Sequence, residues 1–408
     1  MLLKQKNFLL LWIGQAISIF GTRFSDIAVP WVVLQLTDSP FKTALVAISM
    51  QIAPLFLSLF AGIWIENRSK KHVAITAEFI RFLSLIALVF IIMFDYFQLW
   101  IVLLIFFVFG AAGLFFRISF QSMLPSIVGR EKLLSAHNYM EGADAVGTLL
   151  GPALAGLIFT LFGAAWTISI DAFTYLLSAL TLCFIALTYT ERRKEKKRKV
   201  HLNKQWKEIK AGISILFQHH IQRYVTVQHA ILNFLTNAVT LLVIINAKEE
   251  LGLSVTETGL LFSAAGLGNI IGVFLMPVVS RFTWRTINIG LAAFSGTGIL
   301  LLVMADGFVL SAIGMFLFDG ALSMAFVVNG SARQAVTPDN YLARVSSGGL
   351  MISGSVTLLG AFFAGTVAEF LHVQVALFSC AVLLGISIIY SLRTKGLKVM
   401  LSKLTPLG

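Results

Sequence analysis

Charge is what this sequence has least of. Asp, Glu, Lys and Arg together make up 12% of its 408 residues, against about 25% in soluble domains, so the chain lacks the polar surface a water-soluble globule needs. Cysteine is nearly absent as well: Cys183 and Cys380 both lie in apolar runs, which excludes a disulfide framework. No Gly-rich phosphate loop ending in Gly-Lys-Ser/Thr occurs, so nothing in the chain supports ATP-driven transport. The adjacent His219 and His220 lack carboxylates at ligand spacing, so neither a metal nor a cofactor is expected. The opening "MLLKQKNFLLLWIGQ" runs straight into a long apolar segment with no small-residue cleavage site, unlike a cleavable signal.

What is present is apolar. Hydrophobic residues make up 58% of the chain, 35 of them Phe, and the mean hydropathy is +0.88. A spanning helix needs about 20 mostly apolar residues. That criterion predicts an all-α, multi-pass membrane protein with about twelve spans, near 8–36, 41–65, 72–93, 99–125, 133–162, 165–189, 222–247, 256–280, 286–304, 308–332, 342–371 and 373–392. Pro30, Pro54, Pro152 and Pro277 are candidate kinks.

The net charge of +12 is a topology signal rather than a nucleic-acid footprint. Lys and Arg cluster in alternate loops: Lys4 and Lys6, Arg68 to Lys71, Arg130 and Lys132, Arg192 to Lys210, and Arg393 to Lys403. The opposite loops hold little beyond Lys42 and Lys248. By the positive-inside rule both termini are expected in the cytoplasm, with the chain in a cell membrane, bacterial inner membrane if the source is bacterial. The run "ERRKEKKRKV" (191–200) divides the sequence into an N-terminal half (1–190), a basic linker (191–221) and a C-terminal half (222–408). Within the linker Leu202, Trp206, Ile209, Ile213 and Leu216 recur at steps of four and three. That stripe predicts a helix lying on anionic lipid, the alternative being a solvated connector.

The halves repeat. "TLLGPALAG" (148–156) pairs with "TLLGAFFAG" (357–365), placing Gly151 and Gly360 209 residues apart, and Leu133 and Leu342 share that spacing. Two six-helix halves joined by a cytoplasmic connector are the layout of a secondary transporter.

Two motifs give this layout a family resemblance. "GIWIENRSKK" (62–71) is similar to the loop signature of the major facilitator superfamily: Gly62 matches, Glu66 stands in for its acid, and Arg68, Lys70 and Lys71 supply basic residues. "GTLLGPALAG" (147–156) resembles the superfamily's antiporter motif, with Gly147, Gly151, Pro152 and Gly156 in place. The resemblance to the superfamily covers nearly the whole chain, and within it "GQAISIFGTRFSDIAVPWVVLQLTDSP", "EIKAGISILFQ" and "YLARVSSGGLMISGSVTLLG" resemble the drug-efflux branch that includes macrolide exporters and the enterobactin exporter. The resemblance implies the major facilitator fold and export in exchange for protons. Span four departs from that branch, with Phe where an Arg precedes the glycines and Arg117 as its only Arg.

The polar residues inside the spans are the site candidates, because a charge at the bilayer centre costs about 2.5–3.5 kcal/mol or more. In span one Gln15, Ser18, Thr22 and Asp26 share a face. Either they line a water-filled cavity, or Arg23 and Asp26 merely neutralise each other. His229, Asn233 and Asn237 repeat the pattern in span seven, as cavity lining or as interhelical hydrogen bonds. Arg117 and Glu141 have similar depth and are expected to pair, leaving Asp144, one face with Glu141 and Thr148, without an obvious partner. Glu78 and Arg81 read as a local pair, and Asp171 as cavity or interface. Asp319, with Ser323 one turn on, has no basic neighbour in sequence and pairs with a distant helix or changes protonation between states. Asp26, Asp144 and Asp319 are the leading proton-coupling candidates, with Glu141 behind them.

The expected function is proton-coupled efflux of a bulky amphipathic small molecule by alternating access, from a monomer, with no nucleic-acid partner. A proton-coupled importer of the same fold is the alternative. A polytopic membrane enzyme fits less well, since its polar residues would cluster at one interfacial loop.

Overall fold

The protein's structure, a computed structural model, describes residues 2–66, 68–186, 214–338 and 341–404. The surface helix expected in the linker lies almost wholly outside the described residues. Among these, the chain is helical and forms no strand beyond an isolated bridge between Thr283 and Met400.

Long apolar runs become long helices, because in lipid the backbone must satisfy its own hydrogen bonds. They are α1 (Lys6–Thr37), α2 (Pro40–Glu66), α3 (Lys70–Met93), α4 (Leu99–Val128) and α5 (Leu133–Phe184). After the linker come α6 (His220–Ile245), α7 (Val255–Val279), α8 (Trp284–Met304), α9 (Phe308–Val336), α10 (Leu342–Phe370) and α11 (Val373–Arg393). Polar residues set several starts. Ser69 caps α3 through the His72 N–H, and Ser254 and Glu257 form a capping box on α7.

Spans five and six, expected as two helices, run end to end with no loop between them and are labelled together as the 52-residue α5. At 1.5 Å per residue it would measure about 78 Å, far more than a bilayer core of about 30 Å. Gly163 resolves this with φ 83° and ψ 174°, a conformation open to glycine because it has no Cβ. It divides α5 into a first arm (133–162) and a second arm (164–184), giving the twelve expected crossings. The four candidate kink prolines all lie inside continuous helices.

The helices form two compact units. One comprises Met1–Thr37 and Val46–His201, the other Asp38–Leu45 and Leu202–Gly408. In the first, α1 and α3 both pack on α5, and α3 also packs on α4. In the second, α9 packs on α7 and α8, α10 on α6, and α11 on α8. Large apolar side chains such as Trp100, Phe94 and Phe274 stay exposed, the surface a lipid solvent accepts.

The first unit's core is layered. One apolar cluster gathers Phe8, Leu11, Ala77, Phe116 and Leu182; another gathers Val29, Val33, Leu85, Leu88 and Phe106. Along α1 and α3 the polar residues fall between the two, which places the candidate site.

Candidate functional site

The site is built on α1, whose successive residues address the two arms of α5. Arg23 reaches the first arm: its Nη2 donates to Asp144 Oδ1 at 2.8 Å and to Thr148 Oγ1 at 3.0 Å. Its Nη1 lies 3.5 Å from Asp26 Oδ2, one helical turn on. Asp144 therefore has a partner, 121 residues away in sequence. The expected Arg117–Glu141 pair is not formed; both side chains are exposed and no ion pair joins them among the described residues. Arg23 instead pairs with Asp144, the acid that depth alone had left without a partner.

The antiporter-type glycines explain how Arg23 gets there. A Cβ on Gly151 would sit 2.6 Å from Arg23 Cβ, and one on Gly147 3.5 Å from an Ile19 methyl. These glycines let α1 lie against α5 and leave room for the Arg23 stem. Pro152 and Gly156 are buried in the same helix. In the second unit Gly360, the repeat partner of Gly151, does the same for α6, where a Cβ would meet the Phe234 carbonyl oxygen at 2.4 Å.

The stripe on α1 turns inward within its own unit. Gln15 and Ser18 are buried, and Gln15 Nε2 donates to Ser178 Oγ on the second arm at 3.1 Å. Gln15 thus packs against α5. Thr22 is half-buried and 2.8 Å from the Tyr175 hydroxyl. Asp26 alone of the stripe is exposed. Helical spacing identified a common face but could not say what that face meets.

Behind this face lies a charged cluster that the sequence did not assemble. Glu78 and Asp171 are both 0% exposed. Arg81 Nη1 lies 3.7 Å from Glu78 Oε2, and its Nη2 donates to the Tyr175 hydroxyl at 2.7 Å. The guanidinium also stacks over the Tyr175 and Phe109 rings, 3.8 and 4.8 Å from their centroids. Ser178 Oγ donates to Glu78 Oε1 at 3.4 Å, and Ser25 Oγ donates to Asp171 Oδ2. Thr22 donates to the Ser18 carbonyl, so Tyr175 donates to Thr22 while accepting from Arg81. Removing one partner of such a buried pair costs about 3–5 kcal/mol. Asp171 is thus an interface residue. The Glu78–Arg81 spacing and the Asp171–Tyr175 step of four were visible signals; their convergence, with Ser178 100 residues from Glu78, was not.

Among the described residues, the fully buried polar side chains of the second unit are uncharged. Tyr224 meets Ser391 Oγ at 2.7 Å and accepts from Asn288 at 2.9 Å. Gln228 bonds Ser391 and Ser387, and Asn329 reaches Asn288 at 3.3 Å. A small cavity opens among Gln228, Asn288, Ser295, Asn329 and Ser387. The α6 stripe makes local and interhelical bonds: Asn233 Nδ2 donates to the His229 carbonyl at 2.7 Å and lies 3.4 Å from Ser353 Oγ on α10. Asn237 lies 3.5 Å from the Asn233 carbonyl, and His229 sets its ring edge-on to Phe326. Asp319 is paired with a distant helix, accepting from Asn269 Nδ2 on α7 at 2.8 Å, and Ser323 donates to the Gly320 carbonyl.

The loop motif splits into capping roles. Lys71 Nζ donates to the Cys183 and Ile185 carbonyls at 2.8 Å each, closing the C-terminal end of α5. Arg68 lies over the Trp64 ring at 4.3 Å. Lys70 opens α3, Gly62 lies in the last turns of α2, and the Glu66 side chain lies outside the described residues.

Comparison with known proteins now has a geometry to attach to. Residues 2–406 match the family described as transmembrane secretion effector. The chain belongs to this family of the major facilitator superfamily. Family members and structural neighbours are transporters, not enzymes, and the eleven candidate spans among the described residues, with the family, make the chain a multi-pass membrane protein. It is 24% identical over 404 residues to an uncharacterized MFS-type transporter, YfiS, of Bacillus subtilis, covering 93% of this chain and 91% of that one. It is 19% identical to macrolide efflux protein A of Streptococcus pyogenes over 181 residues, so the matched segment spans 44% of this chain and only 45% of that relative. Tap, a multidrug efflux pump of Mycolicibacterium fortuitum, is 25% identical over 41% of this chain and 42% of its own. Among solved structures, the nucleoside transporter NupG gives a TM-score of 0.76 at 14% identity, covering 95% of this chain and 100% of that one. An inward-facing bacterial homologue of the iron transporter ferroportin gives 0.72 at 19% identity, covering 96% and 100%. At such identities these structures establish the fold alone.

Proposed function

We propose that this transporter exports a bulky, amphipathic small molecule in exchange for protons, by alternating access. The observation that carries the reading is the shared guanidinium of Arg23, held by Asp144 at 2.8 Å and by Asp26 at 3.5 Å, beside the antiporter-type glycines. All three side chains are partly exposed, at 28% for Arg23, 48% for Asp144 and 45% for Asp26. A proton on Asp144 neutralises it and leaves Arg23 to Asp26; a cationic cargo competes with Arg23 for the same carboxylates. Either event shifts the balance between two conformations only by its differential affinity for them. Asp319 and Glu141 remain secondary candidates, and the exposed Arg117 a candidate cargo contact. The efflux relatives favour export, and the aromatic-rich spans suit adaptable apolar contact.

The remaining features follow from charge placement. Both termini and the linker sit on the cytoplasmic side, the linker's basic run rests on anionic lipid, and the protein works as a monomer.

The test is accumulation of a panel of macrolides and cationic dyes in cells stripped of their own pumps. Expression of the protein is expected to lower the accumulation of at least one compound, and a protonophore to restore it. Raised accumulation on expression would instead establish the importer. Lowered accumulation that a protonophore leaves untouched would contradict proton coupling.

A further inference from the structure

The first unit holds a second acidic centre that the Arg23 exchange does not use. We propose that Glu78 and Asp171, gathered around Arg81, form a buried proton-binding site that carries one proton between two carboxyl groups. This rests on the proton-coupled reading of the transporter and adds a second acid centre to it.

The argument is a charge count in a sealed place. Both carboxyl side chains are 0% exposed, apolar clusters close the layer on both sides, and Arg81 is the cation that faces them. Arg81 sits 11 residues into α3, about 16 Å along its axis, near the helix midpoint. Two ionised carboxylates against one guanidinium would leave an uncompensated negative charge on fully buried groups, which is costly. One proton restores balance. Arg81 pairs with Glu78 at 3.7 Å, and Asp171 lies within electrostatic range of both, so the proton is assigned to the interacting pair and not to either residue.

The hydrogen bonds leave a place for it. Glu78 Oε1 accepts from Ser178, while Oε2 is buried with no hydrogen-bond partner and only the longer 3.7 Å contact to Arg81. Asp171 accepts from Ser25 and Thr174. The surrounding titratable groups are few. Tyr175 of α5 contacts Arg81 directly; Asp26 of α1 is within electrostatic range of Arg81 and Asp171. Arg23 and Asp144 lie beyond Asp26, and the contact from α4 is the Phe109 ring.

Asp26, at the exposed edge of the unit, lies within electrostatic range of Asp171, which accepts from Ser25. No bond other than O–H forms or breaks. Arrival and departure change the net charge around Arg81, and the Arg81–Tyr175–Thr22 chain carries that change to α1.

Infrared difference spectroscopy on the purified full chain in nanodiscs, titrated across neutral pH, reads this directly. Wild type is expected to show a protonated-carboxyl C=O band at neutral pH that is slow to shift in heavy water. Glu78→Gln and Asp171→Asn should each lose it, since the remaining acid then balances Arg81, whereas Glu78→Asp should keep it. Folding of each variant is checked by circular dichroism, and the conservative variant keeps the test decisive if one amide variant fails to fold. No such band in wild type, or a band unchanged in both amide variants, would overturn the site. That outcome is separable from failure of the transport reading, which would show as wild-type protein exporting nothing while its band is intact.

Discussion

The two units build comparable interiors from opposite chemistry. In the first, Gln15, Ser178 and Glu78 hydrogen-bond in a chain beside Arg81. In the second, Ser387 lies 209 residues after Ser178, the spacing of the glycine repeat, and donates to Gln228 in a network whose members are all uncharged. The repeat preserves packing: Gly151 and Gly360 each seat the first helix of their own unit. It does not preserve charge. A buried neutral network is stabilising once satisfied, whereas a buried charged one is costly to keep and changes state with a proton. We propose the first unit as the one that handles protons.

The largest expected effect breaks the comparison at its charged end. Arg81→Leu strands Glu78 and Asp171 without their cation and should cost about 3–5 kcal/mol, seen as a large fall in the thermal unfolding midpoint in detergent. A midpoint within error of wild type would mean that the carboxyls are already neutral without Arg81.

Next come the paired glycines, where the units should behave alike. Gly151→Val forces a side chain into the Arg23 stem and Gly360→Val into the Phe234 carbonyl, and each should cost about 1–3 kcal/mol. Gly151→Val should also shift Arg23 off Asp144 and abolish gradient-driven export, measured by dye accumulation. Equal stability loss with export retained in Gly151→Val would detach the Arg23 contact from coupling.

The smallest effect belongs to the neutral network. Asn329→Ala removes bonds to Asn288 and the Ala325 carbonyl, and interhelical polar contacts of this kind average about 0.6 kcal/mol. A loss as large as that of Arg81→Leu would erase the distinction between the interiors.

Much of this was legible in the sequence. Apolar length placed α1 to α4 within a few residues, and Lys and Arg marked the ends of the spans. The glycine pattern announced a close helix contact before any geometry was known. Legibility ended where distance in sequence began. Spacing put Gln15, Ser18 and Thr22 on one face, but whether that face meets water or α5 depends on how helices pair. Asp144 seemed partnerless because its partner, Arg23, had been assigned locally to Asp26; the structure gives Arg23 to both. The break between spans five and six was legible too: the apolar runs end and restart at 162 and 165, and the backbone turns at Gly163.

The central claim is that proton coupling resides in the first unit. In everted vesicles with an acid interior, proton release on adding an exported compound should occur with wild type and with Asn329→Ala, and be lost in Asp144→Asn and Glu78→Gln. Release that persists in both first-unit variants, or that disappears only in Asn329→Ala, would contradict the account.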